Sequence, residues 1–71
     1  MTGDADARRD EGLDAIVATL RDVSERLADR ALEVLKEAHR AGATTRPEAE
    51  RTLTTARRAV EKAIALLGRE A

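Results

Sequence analysis

The side chains of this chain that could do chemistry are one histidine, His39, and a dense set of charges, 13 Lys plus Arg against 14 Asp plus Glu in 71 residues. Cysteine is absent, which removes disulfides and thiolate metal sites. A metal on His39 would need further ligands at helical spacing. Glu33 and Glu37 are near in sequence, but neither makes the Glu-x-x-His pair used by di-iron bundles. His39 therefore reads as a solvated helix-end residue, where positive charge favours the helix dipole. There is no glycine-rich phosphate loop and no serine elbow. The apolar stripes described below carry no carboxylates, so paired carboxylates for acid–base work are not expected inside them. The reading is non-enzymatic, with no cofactor and no metal.

Charge placement carries more information than any single group. Residues 1–45 hold seven Arg/Lys against ten Asp/Glu, and residues 46–71 hold six against four, so a net −3 meets a net +2 to give the overall −1. Arg51, Arg58, Lys62 and Arg69 recur at steps of 7, 4 and 7, which on a helix makes one outward ridge. With Arg57 they form a candidate ridge for an anionic ligand. Asp29, Glu33 and Glu37 recur at steps of four, a like-charge run that costs a few tenths of a kcal/mol per pair. Two solvated or mutually complementary faces are the favoured reading of this pattern. Docking of an acidic protein, RNA or a nucleotide is the alternative, and the near-zero net charge disfavours wholesale nucleic-acid binding.

One further spacing lies within this region. Glu50, Thr54, Arg57 and Glu61 stand at steps of 4, 3 and 4. They resemble in part the Glu-x3-Ser-x2-Arg-x3-Gln-x3-Asp helix signature of actinobacterial cyclic-di-GMP-dependent anti-sigma factors, which are also helical hairpins. Thr54 replaces Ser, Glu61 replaces Gln, Ala65 replaces the final Asp, and the preceding helix holds no second copy. The match covers sixteen residues and no membership is assigned on it.

The elements that must position these groups are two helices. Leu13, Ile16, Val17, Leu20, Val23, Leu27, Ala31, Val34, Leu35 and Ala38 follow helical spacing, as do Ala49, Leu53, Ala56, Val60, Ala63, Ile64 and Leu67. Between them Gly42 supplies a left-handed C-cap. Thr45-Arg46-Pro47-Glu48 fits a capping box in which the Thr45 hydroxyl and the Glu48 carboxylate satisfy each other's backbone donors. Helix 1 is expected over about 13–41, the turn over 42–45 and helix 2 over about 46–68, after a mobile charged tail at residues 1–12. A connection so short makes the helices antiparallel.

The fold class is thus all-α, a two-helix hairpin with coiled-coil-like packing. The chain has no Phe, Tyr or Trp, and domains this small bury too little surface to stand comfortably without help. The helix 1 stripe is wider than one seam requires. Both points predict a homodimer closing into a four-helix bundle. The expected dimer and partner interface is Leu13, Ile16, Val17, Leu20, Val23, Leu27, Val34, Leu35, Leu53, Val60, Ile64 and Leu67. No apolar run reaches the ~20 residues of a membrane span, and the first residues lack a signal-peptide layout, so no membrane partner and a cytoplasmic location are expected. Heavy use of Ala and Arg with two Lys points to bacterial GC-rich coding. The functional expectation is a small interaction or regulatory module with a protein partner. A nucleic-acid or nucleotide-binding hairpin dimer and an accessory subunit of a larger enzyme are the alternatives.

Overall fold

The computed structural model describes the backbone of residues 2–70 and the side chains of residues 11–70. Two helices, α1 (Thr2–Arg40) and α2 (Glu48–Gly68), pack against each other as an antiparallel hairpin, about 63 × 15 × 10 Å along its principal axes. The expected fold class is therefore present at the level of the hairpin. α1 begins at Thr2, well before the expected residue 13, and Gly12 does not interrupt it. Residues 4–11 are rich in Ala, Asp and Arg, which suit a first turn or tolerate a helix interior, and a single glycine costs only about 1 kcal/mol within such a run.

The turn closes on two backbone bonds. Gly42, at φ +87, donates to the His39 carbonyl at 3.0 Å, and Ala43 donates to the Ala38 carbonyl at 2.9 Å. This is the Schellman arrangement, with glycine at the left-handed position that L side chains avoid. A Cβ at Gly42 would meet nothing within 4 Å, so the glycine is required by backbone conformation and not by space.

The start of α2 differs from the expected capping box. Pro47, extended at φ −61 and ψ 143, is the N-cap residue, and no side chain caps the helix. The proline ring pushes the preceding Arg46 away from helical conformation, which leaves Thr45 two residues before the cap and out of reach of the first-turn amides. Arg46 takes over the closing role through an ion pair with Glu50, in which Arg46 Nη2 lies 3.0 Å from Glu50 Oε1.

The seam between the helices is thin. Val17 and Ala31 are the buried apolar residues, each 9% exposed, and no large described side chain is fully enclosed. Leu13, Leu20, Val23, Leu27, Val34, Leu53, Val60, Ile64 and Leu67 are half-buried. Two members of the expected interface, Ile16 and Leu35, are 51% and 42% exposed in the single chain, as are Leu32 and Leu66 at about half. Two polar residues outside the apolar stripes are nevertheless buried, Glu50 at 8% and Ser24 at 3%.

Gly42→Ala is expected to lower stability by about 1–2 kcal/mol, the cost of a side chain in the left-handed region. Thr45→Ala should shift it by less than about 0.5 kcal/mol, as for a surface position, in place of the loss a true N-cap would show. Denaturant midpoints of the two variants against the parent chain check both values.

Candidate functional site

Heptad rows bring the polar groups of the seam together. Ser24 is seven residues from both Val17 and Ala31, so it falls on the row of α1 that faces α2. Glu50, Arg57 and Ile64 form the matching row of α2 at the same spacing. The Ser24 hydroxyl donates to Glu61 Oε1 at 2.7 Å and accepts from Arg57 Nε at 3.2 Å. Arg57 Nε also lies 3.9 Å from Glu61 Oε1. One turn nearer the loop, Thr54 Oγ1 donates to Glu50 Oε1 at 2.8 Å, and Glu50 holds Arg46.

Glu50, Thr54, Arg57 and Glu61, the four residues with anti-sigma-like spacing, are thus gathered on one side of the seam, where their polar atoms bond to each other, to Arg46 and to Ser24. Sequence reading missed Ser24. The signal that could have found it is its place on the row Val17, Ser24, Ala31, Ala38.

The hydrogen bond from Arg46 holds the Glu50 carboxyl below its ordinary value of 4.5, helped by the Thr54 hydroxyl and opposed by burial. The same bond raises Arg46. Both are structural consequences of the turn and supply no reactive group.

The candidate ridge for an anionic ligand divides. Arg57 is turned to the seam and bonded there. Arg51, Arg58 and Lys62 are exposed and make no ion pair among the described residues. Arg69 is exposed just past the end of α2. On α1, Glu33 of the acidic run pairs with Arg30 at 3.1 Å, which offsets part of its repulsion, and both partners are more than half exposed.

Two sides of the hairpin now differ. On one, Ala28, Leu32 and Leu35 of α1 line a shallow groove with Glu50, Thr54 and Arg57 of α2, an apolar floor with a charged wall. On the other, α2 presents an outer row of Ala49, Thr52, Ala56, Ala59, Ala63 and Leu66 beside an inner row of Leu53, Val60 and Leu67. From Ala49 to Leu67 these positions carry no charge, and all are exposed or half-buried. At 3.6 residues per turn they span an arc of about 140°, of which only the inner edge meets α1. Ile16, Val23 and Val34 fall on the flank of α1 that adjoins this face.

A third feature is a cleft beneath the turn, lined by Leu35, Ala38 and Pro47 and rimmed by Lys36, His39, Arg40 and Arg46. No group of three or more His, Cys, Asp or Glu among the described residues is placed to hold a metal ion. No described helix is long and apolar enough to cross a membrane. Compared with family models, with curated proteins and with solved structures, the chain finds no match.

The lowered Glu50 carboxyl makes a prediction about acid. Its ionised form favours the folded hairpin, so its contribution is complete above the ordinary value and is lost as pH falls through the lower folded value. The thermal midpoint of the parent chain should therefore fall more steeply below about pH 4.5 than that of Glu50→Gln. Parallel acid limbs in the two melts would assign the dependence to other carboxylates.

Proposed function

We propose that the chain is a non-enzymatic interaction module that works as a homodimer and offers its remaining charged faces to a protein partner. The observation that carries this reading is the thin seam of the described residues: among them the buried apolar side chains are Val17 and Ala31, while Ile16, Leu32, Leu35 and Leu66 stand open. A row of half-buried leucines is stable when a further layer covers it, because each apolar side chain withdrawn from water contributes on the order of 1.5–3 kcal/mol. Two hairpins covering each other make the simplest closed object, a four-helix bundle. The segregated charge, −3 over residues 1–45 against +2 over residues 46–71, suits selective recognition of a partner more than tight binding. A bacterial regulatory setting in the cytoplasm accords with the composition.

A second reading rests on Arg51, Arg58 and Lys62, three exposed cations along one ridge with no ion pair among the described residues. Such a ridge suits a phosphate-bearing ligand.

Sedimentation and thermal melts across a range of concentrations test the dimer. The melting midpoint is expected to rise with protein concentration, and a well-folded monomer at micromolar concentration would refute the proposal. Leu27→Ala should destabilise the assembly by about 2–5 kcal/mol. Arg58→Glu separates the two readings. Weakened binding to RNA or a cyclic dinucleotide, with a shallower salt slope and an intact dimer, supports the ligand reading. No binding by the parent chain at low salt leaves the protein partner.

A further inference from the structure

We infer that the second copy seats on the uncharged face of α2, so that the two α2 helices cross-cover each other antiparallel about a two-fold axis between Ala56 and Ala59. This rests on the homodimer reading above and adds which face is used and in which orientation.

Two observations select the face. It carries no charge from Ala49 to Leu67, and the half-buried Leu53, Val60 and Leu67 along its inner edge remain part-wet in the single chain. The opposite side has its own open leucines, Leu32 and Leu35, but its groove is walled by Glu50 and Arg57, which a flat apolar contact would strip of water at a cost.

The occupant is a second copy because the face complements itself when reversed. An antiparallel two-fold places Leu66, the one large residue of the outer row, over Ala49 of the other copy, with Thr52 over Ala63 and Ala56 over Ala59. Large meets small at each end, and small meets small in the middle, where the backbones must approach most closely. The same reversal brings Glu48, in the acidic first turn of α2, beside Arg69 of the mate, opposite charges at both rims. An isologous contact requires this kind of self-match. The parallel alternative would set Leu66 against Leu66 and bring each Glu48 beside its twin.

The test uses charge on the full chain. Ala56 is exposed in the single hairpin, so Ala56→Glu should retain helicity by circular dichroism yet raise the dimer dissociation constant by about tenfold or more, since a carboxylate would be buried unpaired. Ala65→Glu, on the other side of α2, should leave it unchanged. Because the chain has no cysteine of its own, a mixture of Ala49→Cys and Leu66→Cys should form a disulfide-linked heterodimer more readily than either variant alone. A dimer unaffected by Ala56→Glu but broken by Leu32→Glu would overturn this face and leave the dimer reading standing. A monomeric parent chain would overturn both.

Discussion

A pair of helices has a single mutual face, and in this chain that face is narrower than the apolar surface the helices carry. The apolar arc of α1 runs from Val23 to Leu35, yet only Val17 and Ala31 are buried by α2. The remaining leucines and valines are half-covered or open. With no aromatic residue to bridge the gap, the hairpin cannot enclose a dry interior by its own packing. Among the described residues, the open leucines and the absence of a fully enclosed large side chain follow from that mismatch in width.

Within the seam, the bonds from Ser24 to Glu61 and from Arg57 to Ser24 join positions 37 and 33 residues apart in sequence. The buried Ser24 hydroxyl makes both of its bonds across the seam, to side chains that only this alignment of the helices brings to it. A polar group at a seam position commonly sets register at some cost in stability. Arg57 and Glu61 are about half exposed, so their ion pair itself contributes little. Its use lies in holding both side chains over Ser24.

The turn and the seam together sort the surface. Arg46 pairs with Glu50 at the start of α2 after an uncapped proline, and the bonds of Ser24 to Glu61 and Arg57 set the phase of that helix against α1. With that phase set, one side of α2 is uncharged from Ala49 to Leu67, a second side faces the seam, and the third carries Arg51, Arg58 and Lys62. One 21-residue helix thus presents three surfaces of different chemistry. Among the described residues no group is placed for catalysis by a metal.

The sequence by itself determined the two helices, their antiparallel order and the glycine turn, because helical periodicity and a left-handed C-cap are local properties. It also marked which positions are apolar. It did not determine which of them are covered. Ile16 and Leu35 belong to the stripe by spacing but stand open, while Ser24 and Glu50 are polar yet buried. Burial depends on the phase of one helix against the other, and that phase is fixed by long-range bonds. The apparent capping box at Thr45 failed for a related reason: proline's conformation at the entry to α2 outweighed the side-chain pattern. Arg57, grouped with the four ridge residues as a candidate for an anionic ligand, is drawn to the seam by Ser24 and Glu61, of which Ser24 is brought within reach only by the tertiary structure.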